Sequence, residues 1–166
     1  MAPPAPGPRP VLVLSLLLCL AAACGPARAP AGGGALGQAD LRYRLIDTLG
    51  PPAYCDPYDY PVAHREDDAT AAAEVAALRA RAPDELDAIV RHERLDAAHL
   101  SPDDDRRIAR QSRLLAALAL NPDGDRFRFR YDAADARRDE VAGTIARDGA
   151  VALDSRSPGH PRPCPV

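Results

Sequence analysis

The apolar spacing of this chain changes period once, at Asn121-Pro122-Asp123-Gly124, and that change divides it into a helical part and a strand part. Beyond it, Phe127, Phe129 and Tyr131 alternate with Arg126, Arg128 and Arg130, the period-two pattern of a strand with one buried face. Val141, Gly143 and Ile145 share one face of a second strand, and Val151 and Leu153 share one face of a third. The turn between these two settles their register. A two-residue loop at Asp148-Gly149 would set Ile145 against Ala152 and send the two apolar sets to opposite faces. A three-residue loop from Arg147 to Gly149, with Gly149 left-handed, instead pairs Ile145 with Val151. We therefore expect an antiparallel three-stranded meander near 125–131, 139–146 and 150–156.

Before the change the pattern is helical. Leu41, Leu45 and Leu49 recur every four residues with Ile46 beside them, which predicts an amphipathic helix from Gln38 that Gly50-Pro51-Pro52 stops. The alanine-rich run from Glu66 to Ala82 has high helix propensity, and Pro83 opens a third helix carrying Leu86, Ile89 and Val90. Ser101-Pro102-Asp103-Asp104 offers a capping serine, a proline at the first helical position and acids in the first turn. The helix it starts should reach about Leu120 and bury Ile108, Leu115 and Leu118. Helices followed by strands predict an α+β domain, with several N-terminal helices packed on one face of a C-terminal three-stranded antiparallel meander.

With two phenylalanines, five tyrosines and no tryptophan among 166 residues, the core has to be built from Leu, Val, Ile and Ala, and a covalent tie would help it. All 21 basic residues are arginine, yet 24 acids outnumber them and leave a net charge of -3. Such a chain has no overall attraction for nucleic acid, and none is expected as a partner.

The apolar run Val11–Leu20 is shorter than the roughly 20 residues of a membrane-spanning helix and fits the hydrophobic segment of a signal peptide. It leads into Ala21-Ala22-Ala23-Cys24-Gly25. Small residues directly before a cysteine, behind such a run, resemble the lipobox of a bacterial lipoprotein signal peptide. The resemblance implies cleavage before Cys24, diacylglycerol on its sulfur, and a membrane-anchored protein on the extracytoplasmic side of the cell envelope, with the membrane as a partner. Ala21 and Ala23 also satisfy an ordinary A-x-A peptidase site, so secretion without lipid stays open. Residues 1–23 are then the lipoprotein signal peptide, 24–37 a flexible Gly/Pro/Ala tether of roughly 20 Å reach, and 38–166 a single small domain. With Cys19 removed and Cys24 acylated, Cys55 and Cys164 are left to form a disulfide.

The most unusual segment is Tyr54-Cys55-Asp56-Pro57-Tyr58-Asp59-Tyr60-Pro61. Tyr54, Tyr58 and Tyr60 on a stiff loop are candidate contacts for a sugar ring or a protein partner. The plainer alternative is that prolines and a disulfide shape the loop while the tyrosines patch the core. Two arginine rows are candidate sites for carboxylates or phosphates: Arg126, Arg128 and Arg130 on the first strand, and Arg106, Arg110 and Arg113 on the preceding helix. Cys55 and His64 would make a nucleophile and base only if Cys55 kept its thiol. His92 and His99 lack metal-ligand spacing, and Asp123-Gly124-Asp125 lacks the rest of a calcium loop, so a surface or capping role and a helix-to-strand turn are expected. No catalytic residue, metal or cofactor is expected. These features together predict a lipid-anchored envelope protein acting as a non-catalytic binding or structural module, its partner an envelope protein or polymer. The alternative, a small hydrolase-like envelope enzyme with a dispersed site, requires a cleft where His64 or His92 meets a carboxylate.

Overall fold

The computed structural model describes residues 35–59, 62–134, 138–159 and 164. The lipobox segment with Cys24, and Tyr60 of the tyrosine loop, lie outside the described residues. Among the described residues four helices precede four strands, an α+β arrangement: α1 (Gln38–Leu49), α2 (Asp68–Arg81), α3 (Pro83–Glu93), α4 (Pro102–Ala116), β1 (Asn121–Asp123), β2 (Arg126–Asp132), β3 (Asp139–Ala146) and β4 (Val151–Pro158). The strands pair antiparallel in chain order. Among the described residues no helix is long and apolar enough to cross a membrane.

Helix α1 is the seam of the domain. Leu41 and Leu45 face the sheet core formed by Phe127, Phe129, Tyr131, Val141 and Ile145. Ala39 and Tyr43, on another side of the same helix, join a helical core with Val75, Leu78, Ile89, Ile108 and Leu115. This corrects the expectation that the helices jointly cover one sheet face. Among the described residues, the helical side of the sheet core comes from α1 and from Leu118 and Leu120 beyond α4, while α2 and α3 pack within the helical layer.

The sheet has four strands, not three. Asn121–Asp123 was expected only to turn the chain, but it pairs with β2, Asp123 opposite Arg126 and Pro122 opposite Phe127. A proline fits there because β1 is an edge strand and an N–H on its open side has no ladder partner. The intervening turn places Gly124 at φ 62°, where a side chain would be strained. Helix α4 accordingly ends at Ala116, about a turn earlier than expected, since Leu118 and Leu120 must leave the helix to enter the sheet core. Arg42 Nε, on α1, donates to the Leu118 carbonyl at 2.9 Å just beyond that end.

The register reading holds: Ile145 pairs with Val151, Gly149 has φ 86°, and the Ala146 N–H donates to Ala150 O at 2.9 Å. Between Ala142 and Gly143 the ladder shifts, so that Ser155 faces Ala142, Leu153 faces Gly143 and Asp154 is bulged. Leu153, expected on the buried face, is 45% exposed, and only Val151 of that pair packs on the sheet core. At its start the domain is fastened two residues before the expected boundary, where the Leu36 N–H donates to Arg147 O in the β3–β4 turn at 2.8 Å.

Candidate functional site

The segment between α1 and α2 leaves the sheet and crosses to α4. Its first residues add to the end of β2: Pro52 bridges Ala133, and the Ala53 N–H donates to Asp132 O at 2.7 Å. Cys55 is then bonded to Cys164, their Cα atoms 5.6 Å apart. The next residue, Asp56, is 2% exposed and organises the loop. One carboxylate oxygen accepts the Tyr58 N–H at 2.9 Å, an Asx turn, and the other accepts the Tyr54 hydroxyl at 2.8 Å. Burial works against the Asp56 charge, but the Tyr58 N–H, the Tyr54 hydroxyl and Arg113 outweigh it and hold the carboxyl below its ordinary value of 3.8. Burial and the bond to Asp56 push the Tyr54 hydroxyl well up.

Arg113, near the C-terminal end of α4, is the centre of the arrangement. Its Nε donates to Asp56 at 3.4 Å, and its two terminal nitrogens form a bidentate pair with Glu66 at 3.1 and 3.0 Å. It also donates to Glu74 of α2 at 2.6 Å, and its guanidinium lies 4.9 Å from the centre of the Tyr58 ring. Burial disfavours the Arg113 charge, yet Glu66, Asp56 and Glu74 more than offset this and push its pKa up. Helix α2 begins at Asp68, with Asp67 accepting from the Thr70 N–H, so Glu66 belongs to the loop and is buried against Arg113 instead of opening the helix.

Tyr54 therefore braces Asp56 within the loop, and Tyr58 sets its ring against Arg113 of α4. Beside them lies a cavity of about 310 Å³ lined by Tyr58, His64 and five arginines, Arg65, Arg106, Arg107, Arg110 and Arg113, with Glu66 as its one acid. Residues 106, 110 and 113 recur at helix spacing, which puts them on one side of α4, while Ile108, Ser112 and Leu115 are buried. The structure thus brings the tyrosine loop and the α4 arginine row, two separate leads in the sequence, to one place.

The five arginines are not equally engaged. Arg113 gives four donors to three carboxylates, and Arg106 is paired with both Asp68 and Asp103. Arg110 gives one terminal N–H to Asp59 at 3.2 Å. Arg107 and Arg65 meet acids only at 3.8–3.9 Å, at ion-pair range, and all three side chains are more than half exposed. His64 donates from Nδ1 to Val62 O at 3.1 Å, if that nitrogen carries the proton the carbonyl requires, and its ring tilts against Tyr58 at 5.2 Å.

The second arginine row stays apart from this cavity. Arg126, Arg128 and Arg130 point to the exposed face of β2, where Arg128 pairs with Asp123 at 2.7 Å and Arg130 with Glu140 at 3.2 Å. His99 pairs with Asp96 on the surface beyond α3, so it shares no helix face with His92. His92 stacks on Tyr43, ring centres 3.7 Å apart, beside a cavity of about 360 Å³ that Asp40 and Asp47 also line. Asp40 is taken by Arg91 at 2.9 Å, and neither His92 nor His64 hydrogen-bonds a carboxylate among the described residues. Asp123 ends β1 and Asp125 sits in the β1–β2 turn, and Cys55, being bonded, offers no thiol to His64.

Sequence reasoning missed Asp56, Glu66 and Glu74 as the partners of Arg113, and Arg65 and Arg107 as walls of the cavity. The dense acids of 66–68 were the available signal, read as the start of a helix. Comparison with family models, characterised proteins and solved structures finds no match to this chain.

Proposed function

We propose that this protein is a lipid-anchored module of the bacterial cell envelope that binds an envelope partner or polymer without catalysis, using the face where the tyrosine loop meets α4. The observation that carries the reading is the cavity in which Tyr58 and His64 stand among five arginines. Its walls are rich in cationic donors, while Cys55, the nucleophile candidate weighed from the sequence, is bonded to Cys164. A disulfide suits an exported chain, and the lipobox-like Ala21-Ala22-Ala23-Cys24 would hold the module at the membrane through a lipid on Cys24.

The test is an intact mass under non-reducing conditions on protein taken from membranes of the native host, with Cys24→Ala beside it. The expected result is a chain starting at Cys24 with acyl mass, and a variant that leaves the membrane fraction. A wild-type chain without acyl mass, or a variant that stays membrane-bound, would overturn the anchored reading.

A further inference from the structure

The geometry points to a phosphate-binding site in the α4 cavity, with Arg65, Arg107 and Arg110 as its recognition residues; this deepens the proposed function and rests on it. Hydrogen-bond supply separates the five arginines. A guanidinium carries five N–H donors. Arg113 gives four of its donors to Asp56, Glu66 and Glu74, and Arg106 is held by one terminal nitrogen to Asp68 and the other to Asp103, which fixes the cavity walls. Arg110 spends one donor on Asp59, and Arg107 and Arg65 have no carboxylate within hydrogen-bonding distance among the described residues.

All three of these arginines line the same 310 Å³ space. They reach it from two elements: Arg107 and Arg110 from consecutive turns of α4, and Arg65 from the loop before α2. Donors converging from separate directions suit the tetrahedral oxygens of a phosphate better than the two coplanar oxygens of a carboxylate. Glu66, the acid of the lining, is already held bidentate by Arg113, and the acids that pair with the other four arginines, Asp59, Asp68, Glu93 and Asp103, are not part of the lining. The sheet row offers no such enclosure: Arg128 and Arg130 lie on an exposed strand face, each paired with its own acid. A phosphate on a lipid headgroup and a soluble phosphate share this chemistry.

The experiment uses the full chain purified from native-host membranes in neutral detergent, its acyl mass recorded first, with arginine side-chain Nε–H resonances followed by NMR. One arm titrates inorganic phosphate, and the other compares vesicles of phosphatidylcholine with vesicles containing phosphatidylglycerol. Saturable shifts at Arg65, Arg107 and Arg110 are expected, and Arg107→Gln with Arg110→Gln should weaken binding roughly tenfold or more. Arg128→Gln with Arg130→Gln should leave it unchanged. A response to phosphatidylglycerol vesicles assigns the site to a headgroup, and a response to inorganic phosphate alone assigns it to a soluble or polymer-borne group. No saturable shift in either arm, or equal loss in the sheet-row variant, overturns the site. A lipidated sample that ignores phosphate sinks the site and spares the anchor, whereas an unlipidated sample that binds it does the reverse.

Discussion

Arg113 is the residue on which the most depends. It faces three carboxylates, two of them nearly inaccessible, Asp56 at 2% and Glu66 at 7% exposure. Removing it leaves two buried anions without a counter-ion, which costs about 3–5 kcal/mol when a buried pair is broken. Arg113→Ala should therefore lose about that much in urea unfolding, and an unchanged midpoint would show that the cluster contributes nothing. The acid limb follows from Asp56. Its carboxyl is held below 3.8 in the folded state, so the stability it contributes is complete above that value and is lost as pH falls through the lowered one. Asp56→Asn should be less stable at neutral pH and show a shallower fall in unfolding free energy below about pH 4. None of this was legible in the sequence, because Arg113 lies 57, 47 and 39 positions from Asp56, Glu66 and Glu74. Helix spacing could place Arg113 in a row with Arg106 and Arg110, but only the fold could say that it is spent internally while Arg107 and Arg110 keep donors to spare.

At the scale of elements, what could be read was what local periodicity encodes. The β3–β4 register followed from requiring Ile145 and Val151 to share a face, and the start of α4 from Ser101, whose side chain accepts the Asp104 N–H while Asp104 accepts the Ser101 N–H in return. Ser101→Ala should cost about 1 kcal/mol and lower the melting temperature. What failed were elements defined by their neighbours: β1, whose proline and turn residues look like a loop until β2 lies beside them, and the end of α4, which Leu118 leaves to fill the sheet core. Gly143 is a third case, read only as a small residue on a strand face. A β-carbon there would run into the Ala152 carbonyl oxygen and stand 2.9 Å from the Phe129 ring, so the glycine makes room for both the bulge and the ring. Gly143→Ala should destabilise by about 2 kcal/mol or more through overpacking, measured by thermal unfolding, and a neutral effect would mean that β4 can move aside.

For the whole molecule, the question is how a domain with few aromatics holds a loop that belongs to neither core. Two fasteners converge on neighbouring residues: the Cys55–Cys164 bond, which closes a separation of 109 residues, and the Arg113 grip on Asp56. They act on different states. The bond restricts the unfolded chain, by about 4–5 kcal/mol in the entropic picture for a loop of this length, whereas Arg113 compensates charges that are buried only after folding. Asp56 is also positioned locally, by the Tyr58 N–H and the Tyr54 hydroxyl, so its carboxylate should keep its place without the bond. A double-mutant cycle separates these roles. Cys55→Ser with Cys164→Ser should lower stability by about 4 kcal/mol, Arg113→Ala by its own amount, and the combination by their sum to within about 0.5 kcal/mol. Combined variants too unstable to unfold cooperatively can be compared by adding Asp56→Asn to both backgrounds, which removes one stranded charge. A coupling above about 1 kcal/mol would mean that the disulfide positions the tyrosine loop in the folded protein, and that the α4 cavity exists only in an oxidising compartment.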